Sequence, residues 1–269
     1  MTQHSRIAAV QMVSGPDIAQ NLRDADRLVA EAAARGAQLV ALPEYFPLIS
    51  GNDMDKVHAR EKEGAGPLQD FLRETAVRRK VWLVGGSIPL EAAVPDKVRN
   101  SCLVFDDAGR RVARYDKIHL FGFHRGTEHY NESQTIEHGG EVVAFDSPVG
   151  RVGLSICYDL RFPELYRAMG PVDLLVVPAA FTHTTGQAHW EVLLRARAVE
   201  NLCYVLAAAQ GGTHPSGRMT WGDSMVVDPW GGVLDRLAQG PGVVTAEMDP
   251  ARIAELRASL PALEHRRFI

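Results

Sequence analysis

A thiol held where an apolar strand gives way to a turn can act as a nucleophile, and Cys157 is placed that way. The run Gly153-Leu-Ser-Ile-Cys-Tyr-Asp-Leu-Arg-Phe-Pro-Glu-Leu-Tyr166 passes from an apolar stretch into a helix start. Pro163 suits the first helical position. Backbone N–H groups just after the cysteine would point into a cleft, where they can hold an oxyanion and favour a thiolate. Cys102 and Cys203 lie inside apolar runs and read as buried, inert thiols. A cysteine nucleophile needs a base. His119, His124, His129, His183 and His189 are available, and so is Glu44, which follows directly on the apolar stretch Gln38 to Leu42. A carboxylate partly desolvated there would titrate toward the range useful for proton transfer at neutral pH. Lys117, in Arg114-Tyr-Asp-Lys-Ile-His-Leu-Phe121, is either a solvated strand residue or a fixed cation for developing negative charge.

The elements that must position these residues follow from hydrophobic periodicity. Ile7 to Val13 reads as a buried strand. Leu22, Leu28, Val29, Ala32 and Ala33 mark a helix that stops at Gly36, and Gln38 to Leu42 is a short strand closed by Pro43. That order is a crossover unit with a parallel pair. A helix over Leu68 to Arg79 and a strand over Val81 to Val84 continue the alternation. Two hairpins follow: Ser101–Phe105 with Val112–Tyr115, and Glu141–Phe145 with Val152–Ile156, turning at Asp106–Gly109 and Ser147–Gly150. Beyond Cys157 the pattern predicts a helix over Pro163 to Met169, a strand over Leu174 to Val177 and a helix over Trp190 to Asn201. Strands over Cys203–Ala207, Ser224–Val227 and Val243–Ala246 complete it. Hairpins mixed with crossovers favour an α/β layered sandwich with mixed sheets. No linker or repeat interrupts the chain, so residues 1–269 read as one domain. Leu48 to Gly66 is polar and irregular and reads as a loop beside whatever follows Pro43.

Composition narrows the function classes. Of 269 residues, 46% are hydrophobic and 23% charged, with a net charge of -4, which gives no electrostatic case for nucleic acid or an anionic membrane. No apolar run approaches the roughly 18 residues of a membrane span. The N-terminal residues lack the order of a signal peptide. Three widely spaced cysteines argue against a disulfide framework and for the cytoplasm. Scattered histidines give little support to a metal site.

Glu44 in Leu-Pro-Glu-Tyr, Lys117 in Tyr-Asp-Lys-Ile-His-Leu-Phe and Cys157 in Cys-Tyr-Asp-Leu-Arg-Phe-Pro-Glu occur in that order. Together they resemble the nitrilase superfamily of carbon–nitrogen hydrolases, from the first strand to the C-terminal Leu-Glu-His-Arg-Arg. The resemblance implies a four-layer αββα sandwich that pairs into homodimers or larger homo-oligomers, and no cofactor. It implies that Glu44 is the general base, Lys117 the oxyanion-stabilising cation and Cys157 the nucleophile. Glu132 is implied as a supporting carboxylate, with Glu128 as its rival. Phe181 to Glu200, Tyr204 to Gln210 and Ser224 to Gly231 look like the branch that hydrolyses deaminated glutathione to 2-oxoglutarate and cysteinylglycine. The related ω-amidase branch acts on 2-oxo acid amides such as 2-oxoglutaramate. Either substrate carries a carboxylate beside a ketone, for which Arg161 is the candidate cation. The Tyr158 N–H is a candidate oxyanion donor, and Phe181, Thr182, Tyr45 and Tyr158 are candidate pocket walls. The insert from Leu120 to Tyr130 leaves specificity open. Competing readings are nitrile or N-carbamoyl hydrolysis on the same scaffold, a catalytically idle interaction protein, and a cysteine protease using histidine.

Overall fold

The computed structural model describes residues 4–126 and 128–268, so Thr127, within the Leu120–Tyr130 insert, lies outside the described residues. In chain order the first half runs β1 (Ser5–Gln11), α1 (Ile18–Ala34), β2 (Leu39–Ala41), α2 (Asp55–His58), α3 (Pro67–Arg79), β3 (Trp82–Val84), β4 (Ile88–Glu91), β5 (Val98–Phe105), β6 (Arg111–Asp116), β7 (Gly122–Arg125) and β8 (Glu128–Asn131). The second half runs β9 (Ala144–Ser147), β10 (Gly150–Leu154), α4 (Pro163–Ala168), β11 (Leu174–Ala179), α5 (His183–Asn201), β12 (Tyr204–Ala209), β13 (Gly211–Thr213), β14 (Met219–Trp221), β15 (Ser224–Val227), β16 (Val233–Leu237), β17 (Gly242–Met248) and α6 (Pro250–Ser259).

Two mixed sheets form the centre. One has the order β17-β1-β2-β3-β5-β4 with β6 added beside β5, and the other runs β16-β15-β12-β11-β10-β9. The two-residue side-chain period of a strand sorts the core. Ala8, Val10 and Val40 face α1 and α3, whose Leu28, Val29, Leu72 and Ala76 cover them. Their neighbours Ile7, Ala9, Leu39 and Ala41 face the other sheet, meeting Leu154, Val176 and Leu206. Trp190, Leu194 and Ala198 of α5 and Leu165 and Tyr166 of α4 cover that sheet's far side. The layers are therefore helix, sheet, sheet, helix, as the family resemblance implied.

Several boundaries differ from expectation for local reasons. The strand expected over Glu141–Phe145 begins at Ala144 and runs to Ser147, turning through Pro148 and Val149 into β10. The helix expected from Trp190 begins at His183, because the Thr182 hydroxyl accepts the Thr185 N–H as an N-cap. Gly186 hid that extension in the sequence, and it is there for contact. A Cβ at that position would stand 2.2 Å from Trp221. The segment Leu48 to Gly66 holds α2, and its buried Glu61 accepts the N–H groups of Leu68 and Gln69 at the head of α3. Outside α2 it is irregular, as expected, but it is anchored. No helix among the described residues is long and apolar enough to cross a membrane.

Candidate active site

Glu44, Lys117 and Cys157 each follow shortly after the C-terminal end of a strand, β2, β6 and β10 in turn. Leu42 extends β2 by donating its N–H to Val84 (2.9 Å), and the chain then turns through Pro43 to Glu44. Gly86 makes this close turn feasible, since a Cβ there would stand 2.1 Å from the Pro43 carbonyl oxygen. Lys117 follows β6 and is pinned from both sides: its N–H donates to the Asn100 carbonyl (3.0 Å), and its carbonyl accepts the Gly139 N–H (2.8 Å). Cys157 follows β10 at a φ of 52°, and Tyr45 next to Glu44 has a φ of 53°. Left-handed backbone in residues that are not glycine stores strain that surrounding packing must hold. Here it lies beside the candidate base and at the candidate nucleophile.

The three side chains converge on a buried polar cluster. Glu44 is 1% exposed, and its Oε1 accepts from Lys117 Nζ (2.9 Å) and Asn100 Nδ2 (2.9 Å). Its Oε2 accepts the Ala180 N–H at 2.9 Å. Lys117 Nζ also donates to both oxygens of Glu132, at 3.0 and 2.8 Å. Glu132 accepts further from the Tyr45 hydroxyl (2.7 Å) and the Phe121 N–H (2.7 Å). Glu128 stands apart and accepts from the Thr184 hydroxyl, so Glu132 is the carboxylate on the lysine. Burial alone would pull the Lys117 pKa down, but Glu132 and Glu44 outweigh it and hold the ammonium well above its ordinary value. Burial likewise works to raise the Glu132 pKa, and Lys117 more than reverses it.

Cys157 is 7% exposed and lines a narrow cavity with Phe121, Tyr158, Arg161, Ala180, Phe181, Thr182 and Thr185. Burial pushes its thiol well above the ordinary value, the Glu44 charge adds to that, and Lys117 and the Ala180 N–H offset only part of it. That direction runs against the expectation that local N–H groups favour a thiolate. Cys102 and Cys203 are buried, unpaired and also raised by burial. No histidine among the described residues lines the Cys157 cavity. His119 stacks on Phe162 (3.7 Å between centroids) and contacts Asp159, while His189 contacts Arg161.

The other candidates divide. Arg161 pairs with neither Asp159 nor Glu164 among the described residues and lies over the rings of Tyr158 and Phe181 at 5.7 and 5.3 Å. Its guanidinium borders the cavity of the thiol. Phe181 packs on Trp190, and the Thr182 hydroxyl is committed to capping α5, so both serve packing as well as lining the cavity. Tyr45, expected as a wall of the same pocket, instead holds Glu132 and lines a neighbouring cavity. Tyr158 is the second residue of the short 3-10 turn Cys157–Arg161, where the first N–H groups lack helical partners.

Asn100, Ala180 and Asp159 were not foreseen. Asn100 is 2% exposed and ties Glu44 to the Lys117 backbone through one residue. Ala180 acts only through its peptide group, which no residue-type pattern can reveal. Asp159, fully buried, accepts from the Tyr115 hydroxyl (2.7 Å), the Ile156 N–H (2.8 Å) and the His119 N–H (3.0 Å), joining the Cys157 turn to the Lys117 strand. Replacing it by alanine leaves these donors buried without an acceptor. Asp159→Ala should cost about 3–5 kcal/mol, or on the order of 10 °C in Tm. A thermal melt by circular dichroism checks this, and a drop under about 3 °C would remove the bracing role.

Comparison with known proteins identifies the family. The family model described as carbon-nitrogen hydrolase matches residues 6–258. Deaminated glutathione amidase of Yersinia enterocolitica is 40% identical over 272 residues, covering 99% of this chain and 94% of the relative. Omega-amidase NIT2 of Mus musculus is 39% identical over 265 residues, covering 97% and 95%. Among solved structures, the Caenorhabditis elegans NitFhit protein superimposes with a TM-score of 0.89 at 39% identity, over 99% of this chain and 66% of that longer one. An amidase from Nesterenkonia sp. AN1, carrying acrylamide added at its active-site cysteine, superimposes with a TM-score of 0.75 at 28% identity, over 96% and 98%. With a full-length family match, relatives near 40% identity and a shared four-layer fold, the chain belongs to the carbon-nitrogen hydrolase family, within the nitrilase superfamily.

Proposed function

We propose that residues 1–269 serve as one cytoplasmic amidase domain that cleaves a small 2-oxo acid amide through a thioester on Cys157. The substrate we assign is deaminated glutathione, with release of 2-oxoglutarate and cysteinylglycine. One observation carries the chemistry: a buried carboxylate, ammonium and carboxylate are hydrogen-bonded in series beside the thiol's cavity. In the first half-reaction Cys157 sulfur bonds to the amide carbon while its proton passes to Glu44. The carbonyl oxygen becomes an oxyanion, held by Lys117 and the Tyr158 N–H. At rest Lys117 Nζ lies within hydrogen-bond distance of three carboxylate oxygens, two of them on Glu132. Glu132 can keep one contact and give up the other, which leaves a proton for the oxyanion. The carbon–nitrogen bond then breaks, and Glu44 returns the proton to the leaving nitrogen. In the second half, water attacks the thioester, Glu44 takes its proton, and the acid leaves as the thiol is restored.

The acyl half of this substrate carries a 2-oxo carboxylate. Arg161, on the rim of the Cys157 cavity and meeting a histidine and two aromatic faces, supports its recognition. The near-equal identity to an omega-amidase supports a second reading, release of ammonia from 2-oxoglutaramate. A panel of deaminated glutathione, 2-oxoglutaramate and small nitriles, followed by 2-oxoglutarate or ammonia release, tests both. The expected order places deaminated glutathione highest in kcat/KM. Preference for nitriles would overturn the amidase assignment, and preference for 2-oxoglutaramate would move it to the second reading.

A further inference from the structure

We infer that Arg218, with Lys56, forms an anion subsite for a carboxylate at the far end of the substrate's amine half. The inference rests on the amidase reading above and extends it from the acyl half to the leaving group. Arg218 sits on the turn between β13 and β14. That turn is closed by the His214 N–H on the Arg218 carbonyl (2.9 Å) and rooted by buried His214, whose Nδ1 meets the Ser14 carbonyl (2.7 Å) and Nε2 the Thr220 hydroxyl (2.8 Å). The guanidinium is therefore carried on an anchored support. Its Nη2 donates to the Ala180 carbonyl (3.4 Å), and its plane lies 5.5 Å over the Tyr130 ring. Its Nε is shut off from solvent with no partner. Among the described residues it forms no ion pair, whereas Arg114, Arg197, Arg236 and Arg252 each meet a carboxylate. A held, half-buried guanidinium with no carboxylate of its own is suited to a ligand carboxylate.

Arg218 lines a cavity with Tyr45, Leu48, Ile49, Asn52 and Lys56. Asp53 also borders it and is paired with Lys56 at 2.8 Å, so the cavity keeps a net positive charge from Arg218. Its position relative to the chemistry is set by two residues. Ala180 gives its N–H to Glu44 and its carbonyl to Arg218. Tyr45 follows Glu44 in the chain, holds Glu132 through its hydroxyl and walls the Arg218 cavity. Glu44 must deliver a proton to the leaving nitrogen, so the amine half departs on the Glu44 side. The cavity walled by Tyr45 lies on that side, whereas Arg161 borders the cavity of the thiol. The substrate class is thus an amide with an anion at each end, whose amine half is a short acidic peptide and not ammonia.

The test is a cycle between protein and substrate. Deaminated glutathione and its C-terminal amide, which lacks the glycine carboxylate, are compared in kcat/KM on wild type, Arg218→Met, Lys56→Met and Arg161→Met. Amidation should cost wild type about 100-fold, mostly in KM, and Arg218→Met less than about threefold. Lys56→Met, in a separate element, should shrink the penalty in smaller measure, and Arg161→Met should keep it in full. A penalty as large in Arg218→Met as in wild type overturns the subsite alone. Wild type that hydrolyses 2-oxoglutaramate but not deaminated glutathione overturns both the subsite and the substrate assignment.

Discussion

Glu44→Gln should lower kcat on the preferred amide by about 10³–10⁴-fold, because one carboxylate carries protons in both halves of the proposed reaction. The substitution is nearly isosteric, so its structural cost can be reckoned separately. Glu44 Oε1 accepts two donors and Oε2 accepts one. A glutamine oxygen placed at the Oε1 position keeps Lys117 and Asn100, but turns an NH₂ group toward the Ala180 N–H. That mismatch costs about 1–3 kcal/mol of stability. The protein should therefore fold, with Lys117 still neutralised by Glu132. A thermal melt on the assayed sample separates lost chemistry from lost structure. A cysteine protease using histidine would behave oppositely, tolerating Glu44→Gln and failing when His119 is removed. Activity above about a tenth of wild type in Glu44→Gln would end the role given to this carboxylate.

The sequence carried the positions of Glu44, Lys117 and Cys157 through three short motifs, and the alternation of strands and helices around them. Each motif alone was weak, because a glutamate after a strand is usually solvated and a lysine on an alternating segment usually faces water. Only their joint occurrence pointed to one site. What periodicity missed depends on long-range contact. Gly186 lowers helix propensity where Trp221 needs room, so the first seven residues of α5 looked like loop. The pair β7 and β8, with the side-chain burial of Gly122 to Arg125 mostly exposed, has no apolar alternation to read. The supporting groups were less legible still. Asn100 looks like any polar residue in a strand until Glu44 and Lys117 are folded against it. Ala180 contributes a peptide N–H and carbonyl, which every residue but proline possesses. Arg218 is one arginine among many until its missing partner is seen.

Cys157→Ser should abolish turnover by at least about 10⁴-fold, although it changes one atom and keeps a nucleophilic type. The reason lies in the resting proton. Burial and the Glu44 charge hold even the thiol of Cys157 above its ordinary value, against the pull of Lys117. A hydroxyl, far weaker as an acid, would ask Glu44 to remove a proton from a much poorer donor in the same environment. The same balance has a spectroscopic consequence. The absorbance difference near 240 nm between wild type and Cys157→Ser should contain no thiolate contribution at neutral pH, and the thiolate should emerge only in the alkaline range. In the Glu44→Gln background the negative neighbour is gone, so the thiolate should emerge at lower pH than in wild type. The direction follows from the charge: Glu44 disfavours a second anion beside it, and its neutral replacement does not. A full thiolate equivalent in wild type at pH 7 would mean that the proton has already left the sulfur. Attack would then need no carboxylate to receive it, and Glu44 would be left only its task at the leaving nitrogen.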